Sequence, residues 1–276
     1  MKQNSTRRQS PKLASQQTSK QSPKQSPRQS SKQASKQASK QTPKQSKEIC
    51  EGPITIGIDL ESSRKAAELA ETLDGVYATV GMHPHEAHLL DDACLSEFEE
   101  LAARPRVVAV GEVGLDYYRD RSPRDAQRRA FSAQIELARR TGLPLVVHVR
   151  EAGDEAMAQL AAEAGDLTVV MHCFSLPEYV DECNERGYYA SFAGNVTYKN
   201  AGELREAARR VRGDRIMVET DAPFLTPAPN RGNSNVPAWV AHTAALVAEV
   251  RGVPAAEFAE LTTVNARRVF ALAEAG

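Results

Sequence analysis

Four short apolar runs in this chain each lead into a histidine or a carboxylate, and this pattern constrains the fold more than any other feature. In the first, Val107–Asp116, small and β-branched residues lead to Glu112. The other three end on His148, His172 and Asp221. Runs of this composition predict buried strands. Because burying even an uncharged polar group without a partner costs roughly 2–7 kcal/mol, these four side chains must find partners.

The rest of the chain places these runs in a parallel β/α architecture, because strand and helix patterns alternate along it. Strands are predicted at 54–58, 76–81, 107–112, 144–148, 167–172, 188–192 and 215–219, and helices at 62–72, 95–103, 124–140, 154–164, 177–186, 202–212, 237–251 and 255–272. The pattern alone fits a TIM-type (β/α)8 barrel without its first strand or an open doubly wound sheet. We expect the barrel, since only a barrel brings strand ends distant in sequence to one rim.

Gathered at one rim, Glu112, His148, His172 and Asp221 form a candidate metal site. Carboxylate oxygens and imidazole nitrogens suit Zn²⁺, Mn²⁺ or, less well, Mg²⁺. A single histidine at a strand end is more often a hydrogen-bonded core residue than a ligand. Four such ends together favour metal binding, and we expect one or two divalent cations.

Several residues close to the same rim suggest an anionic substrate. His83 follows the second strand within Gly-Met-His-Pro-His and could bind metal, contact a phosphate or cap a helix; we favour the phosphate contact. Arg150 and Lys199 follow the fourth and sixth strands, where a cation can orient a phosphate. Arg150 could equally form a surface salt bridge. Tyr118 could stack on a nucleobase or serve only in packing.

The N-terminal segment differs from the rest in charge. Residues 1–47 contain twelve Lys or Arg and no Asp or Glu; subtracting these from 35 basic residues leaves 23 against 36 acidic ones, so a tail of +12 precedes a body of −13. From Lys20 to Lys44 a basic residue recurs at every fourth position. We predict a disordered tail over residues 1–50 and one barrel domain over 51–276. The tail is a solvated segment, a weak electrostatic arm for nucleic acid, a targeting segment or a wrongly assigned start.

The sequence also suggests where the protein works. No apolar run approaches the ~20 residues that a membrane span requires, and no secretory segment is recognisable at the N-terminus. The four cysteines are widely spaced and contain no Cys-x-x-Cys pair, which favours reduced thiols. We expect a cytoplasmic, monomeric protein that makes no membrane contact.

Taken together, these motifs resemble the TatD family of metal-dependent deoxyribonucleases. The matching stretches are Gly111-Glu112-Val113-Gly114-Leu115-Asp116-Tyr117, His148-Val149-Arg150, His172-Cys173-Phe174, Lys199-Asn200-Ala201 and Glu219-Thr220-Asp221-Ala222-Pro223. The resemblance runs from about Ile54 to Leu272. It implies an amidohydrolase-like TIM barrel that hydrolyses phosphodiester bonds of DNA with divalent metal and releases nucleotides from a 3′ end.

The resemblance also implies a role for each site residue. Glu112 is similar to a carboxylate that bridges two metals, and His148 and His172 are similar to ligands of one of them. Asp221 is similar to a ligand of the other metal that also acts as a base. His83 is similar to a residue that contacts the substrate phosphate.

One departure from the family is large. The family opens with a strand that carries a His-x-His pair, whereas residues 1–53 contain no histidine. We therefore expect the first strand and two metal ligands to be missing, with reduced activity or a single metal, and lower stability. Two alternatives stay open: an inactive relative that binds nucleic acid through its basic tail, and an amide or lactone hydrolase on the same scaffold.

Overall fold

The computed structural model describes residues 52–272, so the predicted disorder of residues 1–50 lies outside the described residues. Strands and helices alternate along the described chain. Its strands are β1 (Ile54–Ile56), β2 (Tyr77–Val80), β3 (Val107–Asp116), β4 (Leu145–Arg150), β5 (Val169–Met171), β6 (Tyr189–Phe192) and β7 (Ile216–Val218). Its α-helices are α1 (Leu60–Thr72), α2 (Asp92–Ala102), α3 (Arg124–Thr141), α4 (Gly153–Glu163), α5 (Val180–Arg186), α6 (Gly202–Arg210), α7 (Val240–Arg251) and α8 (Ala255–Phe270).

The strands form one parallel sheet in chain order, β1 to β7, and each strand pairs with the next. All the predicted strands and helices are confirmed. The main difference is β3, which continues past Glu112 to Asp116. Within residues 52–272 no ladder joins β7 to β1, in agreement with a barrel whose first strand is missing.

The sheet is curled, as contacts between non-neighbouring strands demonstrate. His172, after β5, lies 3.4 Å from Glu112 of β3 and 2.8 Å from Glu219 after β7. In a flat sheet, strands two apart are separated by roughly 10 Å. An apolar cluster inside the curl brings Ile54 of β1 and Met217 of β7 together with Phe270 of α8. The strands thus surround a common interior with an open seam between β1 and β7.

Gly114 allows β3 and β4 to approach closely beside the site. Its φ is +131°, and a Cβ at this position would lie 2.1 Å from the carbonyl oxygen of His148. Any larger residue would therefore push β4 away from β3. The glycine helps to bring His148 alongside Glu112.

The structure also bears on membrane contact. Among the described helices, none combines the length and apolar character that crossing a bilayer requires.

Candidate metal centre

Glu112 is the residue around which the site is built. It lies on β3, and its carboxylate is only 12% exposed. Its Oε1 lies 2.8 Å from His148 Nδ1, 3.4 Å from His172 Nε2 and 3.6 Å from His83 Nε2. A single carboxylate oxygen therefore faces imidazoles that lie on or directly after three other strands.

The first part of the site, here called the β2–β4 half, consists of His83, His85, Glu112, Asp116 and His148. Asp116 ends β3, and its Oδ2 accepts from His85 Nε2 at 2.9 Å and from His148 Nε2 at 3.2 Å. The His148 ring is thus held between two carboxylates, with Nδ1 facing Glu112. A carboxylate on the far nitrogen of a histidine is the usual support for a metal-ligating imidazole.

Two buried glutamines of α3 hold the strand ends in this half. Gln134 accepts from the backbone N–H of Met82 at 2.6 Å and donates to the Met82 carbonyl at 3.0 Å, which fixes the backbone next to His83. Gln127 accepts from the Asp116 N–H at 2.8 Å. Both side chains are almost fully buried. These contacts position His83 and Asp116.

The second part, here called the β5–β7 half, consists of His172, Glu219 and Asp221. Glu219 Oε1 lies 2.8 Å from His172 Nδ1 and accepts from the Cys173 N–H at 3.1 Å. The other ring nitrogen, Nε2, faces Glu112 and lies 3.7 Å from Asp221 Oδ1. Asp221 and Cys173 have φ values of +56° and +45°, a region that disfavours residues with a Cβ. Such backbone strain occurs most often at functional sites.

Burial and neighbouring charges shift the pKa values of the site residues in both halves. Burial lowers the pKa of His83 to about 3, so its imidazole is neutral at neutral pH. Burial alone would raise the pKa of Glu112, but His172 and His148 hold it well below its usual value. For the same reason His148 and His85 hold the pKa of Asp116 low. Burial alone would lower the pKa of His148, but Asp116 and Glu112 raise it. The β2–β4 half thus presents ionised carboxylates, a neutral His83 and a histidine whose pKa is raised.

In the β5–β7 half, burial alone would lower the pKa of His172, but Glu219 and Glu112 raise it to about 10. Burial also raises the pKa of Asp221 to about 6. At neutral pH the His172 ring is therefore an imidazolium that compensates the negative charge of Glu112. A bound cation would take over this compensation and release the proton.

The donor atoms fit a divalent cation. One ligand atom each from His83, Glu112 and His148 lies within 4.8 Å of the others. Zn²⁺ accepts imidazole nitrogen and carboxylate oxygen at about 2.0–2.2 Å, which this spacing accommodates with small side-chain adjustments. Imidazoles bind metal in the neutral form and carboxylates in the ionised form, so a bound cation would favour loss of the proton from His148, whose pKa Asp116 and Glu112 raise.

The structure brings all four predicted metal ligands together but distributes them differently from the prediction. Glu112, His148 and His83 form a group of closely spaced donor atoms, here called the compact group. His172 and Asp221 lie near Glu112 in the β5–β7 half. His83, predicted as a phosphate contact, thus lies within the cluster beside Glu112. Its role as ligand or phosphate contact stays a prediction.

The two predicted cations lie outside the cluster. Arg150 ends β4, and its guanidinium is 3.8 Å from the centre of the Tyr118 ring. Lys199 is exposed in the segment between β6 and α6. Their role in phosphate binding also stays a prediction.

Sequence reasoning did not assign roles to the supporting residues Asp116, His85 and Glu219. Each stands two to four residues from a predicted site residue in the same motif, which is the only signal the sequence offers. Gln127 and Gln134 carried no signal at all, because a polar residue in an amphipathic helix gives no indication that it bonds to a strand end.

A curled parallel sheet with a His/carboxylate cluster at the carboxyl ends of its strands defines a barrel-type protein with the ligand set of a metal hydrolase. Comparison with known proteins agrees. The family model described as "TatD related DNase" matches residues 29–271. The chain therefore belongs to the TatD family.

Individual relatives support this placement. The chain is 39% identical over 225 residues to the "Uncharacterized metal-dependent hydrolase YabD" of Bacillus subtilis (strain 168), covering 81% of this chain and 88% of the relative. It is 36% identical to the "3'-5' ssDNA/RNA exonuclease TatD" of Musicola paradisiaca (strain Ech703), covering 83% and 90%. The crystal structure of YJJV, a TatD homologue from Escherichia coli k12, superposes with a TM-score of 0.74 at 28% identity, covering 80% and 86%.

Proposed function

We propose that this protein is a metal-dependent phosphodiesterase that removes nucleotides from the 3′ end of DNA. The observation that carries the proposal is the convergence of His83, His148 and His172 on one oxygen of Glu112. An exonuclease name on a relative that covers 83% of this chain supports the choice of substrate. RNA is the second polymer that this relative's name includes.

The chain's own residues supply binding and proton transfer. Asp221 has a pKa of about 6, so its carboxylate is ionised at neutral pH and accepts the proton of the attacking water. Arg150 and Lys199 orient the scissile phosphate. Glu219 holds the His172 ring through Nδ1, which keeps Nε2 directed at Glu112 and Asp221.

A divalent cation held by His83, Glu112 and His148, with His172 and Asp221 near it, would polarise the phosphoryl oxygen and lower the pKa of water. The compact group would hold one ion, and we propose that a single site carries the activity. The protein is therefore expected to cleave more slowly than a relative with two complete sites.

The test is cleavage of a 5′-labelled single-stranded DNA oligonucleotide by the full chain with Mn²⁺, Zn²⁺ or Mg²⁺. We expect a ladder of products shortened from the 3′ end, which EDTA abolishes. Glu112→Ala should lower the rate by at least about 100-fold, since it removes the charge shared by three imidazoles. Glu99→Gln, which alters a surface carboxylate paired with Arg140, is the control and should cleave normally.

The basic tail makes an inactive nucleic-acid-binding protein the second candidate. Its twelve cations without a single acidic residue favour phosphate binding. Under this alternative, no metal supports cleavage, EDTA leaves DNA binding unchanged, and a peptide of residues 1–47 binds as tightly as the full chain. That set of results would replace the hydrolase proposal.

A further inference from the structure

Phe224 is the most exposed large apolar side chain of the described residues. It is 68% exposed and lies in the loop that follows β7. A phenylalanine ring in water forfeits the stabilisation that burial would provide, so its exposure needs an explanation. Sequence reasoning gave this residue no role.

The exposure of Phe224 does not come from a loose loop. Its N–H donates to the Asp221 carbonyl at 2.8 Å, which closes a turn. The Asn235 side chain, only 4% exposed, donates through Nδ2 to the carbonyls of Thr220 and Phe224, both at 2.8 Å. The Asn235 N–H donates to the Pro223 carbonyl at 3.0 Å. The ring is therefore presented by a fixed backbone three residues from Asp221.

Other aromatic rings in these loops are already covered by cations. The guanidinium of Arg150 lies 3.8 Å from the centre of the Tyr118 ring, and that of Arg231 lies 3.8 Å from the centre of the Tyr198 ring. Tyr117 is covered by Arg124 at 4.1 Å. Within residues 52–272 no guanidinium lies over Phe224. Its ring is thus free to stack on a planar ligand.

We propose that Phe224 stacks on a nucleobase of the nucleotide whose phosphate lies at the Glu112 cluster. Every base has a π-face, so such stacking tolerates any sequence. A base inside a duplex is covered on both faces by its neighbours, whereas the terminal base of a single strand is open. This inference rests on the proposed function and names the residue that holds the base of the bound nucleotide.

The test uses the full chain and an oligonucleotide with 2-aminopurine at its 3′ end, joined by a phosphorothioate linkage to slow cleavage. Stacking on an aromatic ring quenches 2-aminopurine fluorescence. Residues 1–51 contain no Phe, Tyr or Trp, so binding to the tail alone cannot produce aromatic quenching. We expect quenching with the wild-type chain, and little with Phe224→Ala or Phe224→Leu, which keeps apolar bulk without a π-face.

Further variants make the outcome decisive. Phe224→Trp should quench at least as strongly as wild type, and Leu73→Ala, an equally conservative loss of exposed apolar surface at the end of α1, should change nothing. Phe224→Ala should also weaken binding of the single strand about tenfold. Wild-type quenching that survives in Phe224→Ala, or no quenching by wild type, overturns the inference. Failure of the proposed function shows separately, as no hydrolysis of oligonucleotide or bis(p-nitrophenyl) phosphate by wild type.

Discussion

The β2–β4 half and the β5–β7 half of the metal centre contain the same kinds of side chain but differ in how firmly the fold supports them. In the β2–β4 half, β2, β3 and β4 each pair on both sides, and the Glu112 carboxylate is 12% exposed. In the β5–β7 half, β7 is the last strand of the sheet, and Asp221 follows it at 28% side-chain exposure. The compact group of donor atoms from His83, Glu112 and His148 lies on strands, or directly after strands, that are flanked on both sides.

The two halves also differ in the pKa values of their side chains. The β2–β4 half compensates its carboxylates with two hydrogen-bonded histidines and keeps His83 neutral. The β5–β7 half depends on a protonated His172 and leaves Asp221 with a raised pKa. Each half therefore contains one histidine whose pKa neighbouring carboxylates raise, His148 and His172, and the β2–β4 half adds the neutral imidazole of His83.

The largest expected effect is the loss of Zn²⁺ affinity when one histidine is removed from each half. His148→Ala should weaken Zn²⁺ affinity by at least about 100-fold, because it removes a ligand of the compact group. His172→Ala should weaken it by only about tenfold, since His172 lies outside that group. Isothermal titration calorimetry of both variants at pH 7 measures the comparison. Equal losses in the two variants would show that the halves form one site.

A smaller effect is expected from replacing Asp116, whose carboxylate holds the His148 ring. Asp116→Asn removes the charge that holds His148 Nε2 and should lower metal affinity and activity by about 10–100-fold. Asp120→Asn is the matched control, because Asp120 pairs only at the surface with Arg124. If Asp116→Asn binds Zn²⁺ like the control, Asp116 has no role in orienting the ligand.

The protonated His172 predicts a pH dependence of stability in metal-free protein. Since folding raises the pKa of His172 from 6.5 to about 10, its contribution is fully present below pH 6.5 and is lost as pH rises through about 10. Glu219→Gln removes a main cause of that shift and should reduce the loss by about 1.4 kcal/mol for each pKa unit removed.

Urea denaturation in EDTA at pH 6, 8 and 10 measures this change. Glu203→Gln, on the surface of α6, serves as the control for loss of one carboxylate. Parallel pH profiles for wild type and Glu219→Gln would mean that Glu219 does not hold the His172 proton.

The smallest expected effect concerns the two edge strands. Ile216 of β7 is fully buried, whereas Ile56 of β1 is 37% exposed at the seam. Ile216→Val should therefore lower the free energy of unfolding by about 0.5–1.5 kcal/mol, and Ile56→Val by less than about 0.5 kcal/mol. Chemical denaturation compares the two. A larger loss at Ile56 would indicate that the seam is covered in solution.

The sequence predicted the strands and helices well because buried parallel strands are continuous apolar runs that end on polar residues. Glu112, His148, His172 and Asp221 could be found for the same reason. The continuation of β3 to Asp116 was missed, because the two glycines in Gly111-Glu112-Val113-Gly114 interrupt the apolar pattern. The role of Gly114 itself is visible only against the His148 carbonyl.

The division of the site could not be predicted, because it depends on distances between side chains of different strands. Nothing in the sequence indicates that the Nε2 atoms of His83 and His172 lie at similar distances, 3.6 and 3.4 Å, from Glu112 Oε1. The contact between Glu219 and His172 could not be predicted either, since the two residues lie 47 positions apart in the chain. The exposure of Phe224 could not be predicted either, because it depends on the loop that the Asn235 side chain fixes through its hydrogen bonds.

Metal content per chain shows whether the Glu112 cluster binds a divalent cation. The purified full chain and Glu112→Ala are dialysed against trace Zn²⁺ and Mn²⁺, and bound metal is determined by elemental analysis. We predict about one equivalent retained by wild type, consistent with the one compact group, and essentially none by the variant. No retained metal in wild type, or equal retention in both proteins, would contradict the account.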